Sequence, residues 1–306
     1  MTDLYIHIGT PRTGTTVLQK HLFPLIKNGI VFSKVAYKPS GNLINNSKTQ
    51  ISADPKEMQK YLEECKIKSD FVPEEFVRNM ILSPVGGYAG ESYKYKKYEP
   101  IMLEAINHLN EYVKERFPYV LISSERLCDT SASLACFSSH RYDIQFPVYP
   151  LAKLIQKSIN KIPIILVCLR DPISYLTSKY FRTCNQRKQM GERVLTATEY
   201  IQKQVTLENR APGTSSISHA IHSDFLKDLS KVGIVKAFGF KQLLTCSHLF
   251  QLLGIPEEAN IAFSSFPREN KSSISDYTKS SCTKAIVESL KQIGLYKKLI
   301  DSKIYE

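Results

Sequence analysis

The stretch YIHIGTPRTGTTVLQKHL, residues 5–22, decides how the chain is read. Apolar residues surround a single His7 and run straight into Gly9. Such a run reads as a strand buried on both faces. Gly9 to Thr16 then spells Gly-Thr-Pro-Arg-Thr-Gly-Thr-Thr, and a helix is expected over 15–27. Together these make the layout of a phosphate-cradling loop. Glycines let the backbone bend and turn its N–H groups onto an anion. The helix adds its positive end. Thr15 and Thr16 add hydroxyls, and Arg12 adds a fixed charge with a planar donor fork. Nucleotide loops of this kind close on Gly-Lys-Ser/Thr. Here Thr15 follows Gly14, and the basic residue, Arg12, stands two positions before that glycine.

Outward from this stretch, further short apolar runs read as buried strands: Gly29 to Ser33, Tyr119 to Ser124, Pro163 to Arg170 and Gly233 to Phe240. Helical patterns fall between them. One follows Asp54 as N-cap, with Pro55 at the first position and Glu57 as capping partner. Another repeats Ile101, Ala105, Ile106, Leu109 and Val113, and a third covers 241–255. Strands alternating with helices predict a three-layer α/β fold around a parallel sheet. The stretches 83–98 and 182–218 break the alternation. They are expected to be irregular apart from a helix inside the second, either substrate loops or plain surface excursions.

Composition narrows the class. The chain has 306 residues, 42% of them hydrophobic, enough for a large core. No apolar run is long enough for a transmembrane segment. The start, MTDLYIHIG, does not read as a signal peptide, so a cytoplasmic location with reduced cysteines is expected. The seven cysteines form no C-x-x-C pair, which argues against a metal site. A net charge of +12 would steer a polyanion, or is simply a solvated basic surface.

In open parallel sheets, ligands bind beyond the carboxyl ends of the strands. The third run delivers Ser123-Ser124-Glu125-Arg126 there. Glu125 is a candidate general base, or else a capping or ion-paired residue. The fourth delivers Arg170, and Ser178 follows eight residues later on a helix begun by Pro172. A strand-end arginine plus a helix hydroxyl makes a second anion site.

Pro11-Arg12-Thr13-Gly14-Thr15-Thr16, with Arg170, Ser178 and Tyr180, resembles the sulfotransferases that use 3′-phosphoadenosine 5′-phosphosulfate (PAPS). The arginine form of the loop is most similar to tyrosylprotein and many bacterial sulfotransferases. The segments 234–258 and 264–270 carry weaker likeness. The resemblance is specific at the two phosphate motifs and thin over 34–118 and 183–225, where such enzymes vary their acceptor pockets. It implies a single domain over 1–306 with a P-loop NTPase-like central sheet. It also implies that residues 11–16 bind the 5′-phosphosulfate, and that Arg170 and Ser178 bind the 3′-phosphate. Arg12 would stabilise the leaving group and Glu125 would take the acceptor's proton, with no metal. His7 is a weaker base candidate, and a lone histidine in an apolar run more often packs in the sheet. The expected acceptor is a carbohydrate hydroxyl or a small alcohol, and no nucleic-acid partner is expected. The rivals are an ATP-dependent kinase of the P-loop type and a non-catalytic polyanion binder.

Overall fold

A computed structural model describes residues 3–9, 15–26, 29–33, 55–67, 73–82, 92–128, 147–210, 215–239, 251, 253 and 276–303. Its centre is one sheet of β1 (Asp3–Gly9), β2 (Gly29–Ser33), β3 (Tyr119–Ser123), β4 (Ile164–Leu169) and β5 (Ile234–Gly239). The strands lie in the order β2-β3-β1-β4-β5 and every pair is parallel. Each expected strand is present, its ends moved by one residue at most. The chain leaves β1 towards β2 and leaves β4 towards β5, so the winding reverses beside β1. Crevices at such reversals are where open α/β sheets hold ligands.

The period-two alternation of strand side chains gives the sheet two different faces. One carries Leu4, Ile6, Ile8, Ile30, Phe32, Val120, Ile122, Ile165, Val167 and Leu169 into the main core. Helices α2 (Pro55–Ile67), α3 (Pro73–Val77), α4 (Ser92–Val113) and α5 (Val148–Ile159) cover it with Leu62, Phe76, Met102 and Leu151. The other face carries Tyr5, Leu121, Leu166, Cys168 and Phe238 beneath Leu18, Leu22 and Phe23 of the segment that follows β1. Burial at roughly 25 cal/mol per Å² of apolar surface makes these two layers the main source of stability.

A third cluster joins α6 (Pro172–Gln189), α7 (Ala197–Arg210), α8 (Ser216–Ala220), α10 (Asp276–Gln292) and α11 (Tyr296–Asp301) around Leu176, Tyr200, Ile286 and Leu290. Between α8 and α10, α9 (His222–Leu229) places Phe225 and Leu229 in the main core.

Three expectations about local structure change. Tyr93 to Tyr98 is not an irregular loop, because α4 begins at Ser92 and runs through Pro100. Much of 182–193 is helical too, since α6 continues to Gln189, with a C-cap at Met190. The helix after the first loop is α1 (Thr15–Val17), widening into a π turn over Leu18–Leu22 and ending in a 3₁₀ turn over Phe23–Leu25. It stops short of Lys27 because Pro24 has no N–H with which to continue the ladder. The helix expected over 241–255 lies almost wholly outside the described residues, as does Asp54. No described helix is long and apolar enough to cross a membrane.

Candidate functional site

The carboxyl ends of β3, β1 and β4 stand side by side: His7 is in register with Ser123, and Gly9 with Cys168. Pro11, Arg12, Thr13 and Gly14 lie outside the described residues, but both ends of their loop are defined. A Cβ built on Gly9 would come within 1.6 Å of the Thr15 hydroxyl oxygen. Only glycine therefore lets α1 start directly against the strand it follows. Thr15 is 1% exposed, and its hydroxyl has no hydrogen-bond partner among the described residues. Thr16 continues α1, with its side chain outside the described set.

Beneath Thr15 the second face of the sheet turns polar. His7 and Ser123 are both fully buried, and Gln19 nearly so. Ser123 Oγ lies 2.8 Å from His7 Nδ1. Gln19 Nε2 donates to the Ser123 carbonyl at 3.1 Å and to its hydroxyl at 2.9 Å. Phe23 meets the imidazole edge-on at 5.2 Å between ring centres. Burial pushes the His7 pKa down to about 3, so the ring is neutral. His7 thus packs inside the sheet. Its Nε2 is buried without a partner among the described residues.

At the end of β3 the chain enters a 3₁₀ turn, Glu125–Cys128, whose Leu127 amide donates to Ser124. The main chain of Glu125 therefore stands at the strand's carboxyl end. The side chains of Glu125 and Arg126 lie outside the described residues. At the end of β4, Arg170 is partly buried and Asp171 caps α6, accepting from the Ser174 amide at 2.8 Å. Burial pushes the Asp171 pKa up, but the Ser174 amide and Lys303, 3.5 Å away, outweigh it and leave it lowered. Burial lowers the pKa of the nearby His222, and the Arg170 backbone partly offsets that. Ser178 is partly buried on α6, in the second turn after its Asp171 cap.

Sequence reading missed one buried group beside the site. His219 on α8 has Nδ1 3.0 Å from the Tyr175 hydroxyl, and Nε2 4.0 Å from Cys128 Sγ. Burial, helped by Lys179, lowers the His219 pKa to about 3. Cys128, His219 and Tyr175 tie the turn after β3 to α6, but their wide separation in sequence left no local signal. The contacts of Ser123 with His7 and Gln19 were hidden for the same reason. Among the described residues, no group of three or more His, Cys, Asp or Glu side chains could hold a metal ion.

No family model matches the chain, and no curated protein or solved structure does either.

Proposed function

We propose that the chain is a PAPS-dependent sulfotransferase with a P-loop NTPase-like fold, transferring a sulfuryl group to an acceptor hydroxyl. One observation carries the reading. The loop motif and the Arg170 motif leave neighbouring strands at the same level, since Gly9 is paired with Cys168, two residues before Arg170. Two anion-binding motifs then flank the reversal of winding, which suits a ligand with phosphates at both ends. The buried Thr15 hydroxyl, with no partner among the described residues, fits an anion-lined loop as a spare donor. The close approach of Gly9 to Thr15 fits a tight one.

When bound, PAPS supplies an activated sulfuryl group. Arg12 stabilises charge that grows on the leaving phosphate during transfer. Thr15 and Thr16 hold the 5′ end of the nucleotide, while Arg170 and Ser178 hold the 3′-phosphate and select against ATP. Glu125 removes the acceptor's proton. Like phosphoryl transfer, this chemistry needs position and charge stabilisation more than covalent help. A carbohydrate hydroxyl or small alcohol is the acceptor class.

The test is transfer of labelled sulfate from PAPS to a panel of sugars, small alcohols and tyrosine peptides. Glu125→Gln is expected to abolish transfer and preserve nucleotide binding. Undiminished transfer by that variant removes Glu125 from the base role. Absence of transfer to every acceptor, together with phosphorylation from ATP, overturns the assignment.

A further inference from the structure

The hydrogen bonds around Ser123 favour one placement of the protons in the buried cluster. A carbonyl oxygen only accepts, so the Gln19 atom 3.1 Å from the Ser123 carbonyl is the amide nitrogen. That same nitrogen donates to Ser123 Oγ. The Ser123 hydroxyl still has its own proton to donate, and the acceptor in reach among the described residues is His7 Nδ1, 2.8 Å away, in the tautomer that leaves Nδ1 bare. A neutral imidazole accepting at Nδ1 carries its proton on Nε2. His7 Nε2 is therefore a buried donor, and it is one of the atoms without a partner among the described residues.

The second such atom on this face is the Thr15 hydroxyl. Side chains two residues apart on a strand share a face and stand about 6.6 Å apart. Thr15 Oγ1 occupies the place of a Cβ on Gly9, on the same side of β1 as His7. The two unpartnered atoms therefore belong to side chains on one face of β1, about one side-chain repeat apart, and a polar separation of that order is one that water bridges. Leaving a buried donor unsatisfied is destabilising, and a buried water between two polar atoms removes that cost.

We propose that His7 is a positioning residue for the loop. In this arrangement one buried water accepts from His7 Nε2–H and donates to Thr15 Oγ1. The bonds then all run one way: Gln19 to Ser123, Ser123 to His7, His7 to water, water to Thr15. Each bond in such a chain polarises the next. Thr15, accepting from the water, keeps its own proton to donate on the loop side. The packing of Phe23 on the ring holds the imidazole in this orientation. The water site rests on the two unpartnered atoms and the bonds of the cluster; its effect on a bound phosphate rests on the proposed function above.

The experiment is NMR on the full chain with ¹⁵N-labelled histidine. His7 is expected to be the Nε2–H tautomer and to stay untitrated from pH 5 to 8. Its Hε2 should show a cross-peak to a long-lived water. Thr15→Val should abolish that cross-peak and Thr15→Ser should keep it. An Nδ1–H tautomer, or no water contact in the wild type, overturns the proposal, as does a cross-peak unchanged in Thr15→Val. A second readout is the affinity for adenosine 3′,5′-bisphosphate. His7→Phe should weaken it about tenfold, and His7→Gln, which returns a donor near Nε2, should restore most of it. Equal affinity in all three proteins removes the positioning role. If the wild type does not bind the bisphosphate, the sulfotransferase reading fails, and the tautomer and water contact still decide the inference.

Discussion

The two faces of the sheet come from the same five strands and are built of different chemistry. On the face towards α2–α5, the strands send in only apolar side chains, from Ile6 and Ile8 to Leu169. On the face towards α1, Tyr5 and Leu121 give way near the carboxyl end to His7 and Ser123, bonded to one another and to Gln19. The apolar face stabilises by area and shape, and tolerates small rearrangement. The polar face depends on each donor finding its acceptor, so a single deletion there strands the others. The difference is greatest at the carboxyl edge, where the loop leaves β1. Stability is concentrated on one face and orientation on the other.

The strongest way to break this comparison is truncation on the apolar face. Ile6→Ala should cost about 2–5 kcal/mol, measured by denaturant unfolding. Below its melting temperature that variant should bind adenosine 3′,5′-bisphosphate as the wild type does. A selective loss of binding would show that the two faces are not separable.

Acid sharpens the comparison from the other side. His7 and His219 have folded pKa values lowered to about 3, well below the ordinary histidine value of 6.5. The unfolded chain therefore takes up protons that the folded chain refuses. The stability these rings contribute is complete above pH 6.5 and is lost progressively as the pH falls towards 3. At pH 5 each should have cost on the order of 2 kcal/mol. His7→Gln should remove about half of their joint slope in stability against pH. An unchanged slope would mean that His7 is protonated in the folded state.

Smaller effects follow at the loop ends. Ser123→Ala leaves Gln19 and His7 without their shared partner and should cost about 1–3 kcal/mol. Gly9→Ala forces a Cβ onto Thr15 and should cost about the same through overpacking. Both should impair bisphosphate binding beyond their effect on melting. The smallest change lies away from both faces. Asp171→Ala removes the cap that holds the Ser174 amide and should cost about 1 kcal/mol, read from the unfolding midpoint.

The strands were legible because runs such as LYIHIG and IILVCL are too short for typical buried helices and too apolar for surface strands. Their parallel arrangement followed from the helical patterns between them. The extension of α4 to Ser92 was not legible, because Tyr93 to Lys97 alternates lysine with tyrosine and Pro100 interrupts the run. In α5, Leu151, Leu154 and Ile155 have helical spacing, but Pro150 in the first turn masks the start. Among the described side chains of the weakly patterned α10, the buried anchors are Ile286, Ser289 and Leu290. At the site, Arg170 and the loop were recognisable because each motif is local in sequence. The contacts of His7 with Ser123 and of His219 with Cys128 join residues 116 and 91 positions apart, and only the register of the strands and the packing of α8 bring them together.

The central claim is that two anion motifs on adjacent strands hold one bisphosphate. It is tested most directly by thermal melting with adenosine 3′,5′-bisphosphate in the absence of metal, beside melting with ATP and magnesium. A ligand that binds only the native state raises the midpoint. The account predicts stabilisation by the bisphosphate alone, lost in Arg12→Ala and in Arg170→Ala. Stabilisation only by ATP with magnesium, or bisphosphate stabilisation that survives both substitutions, would contradict it.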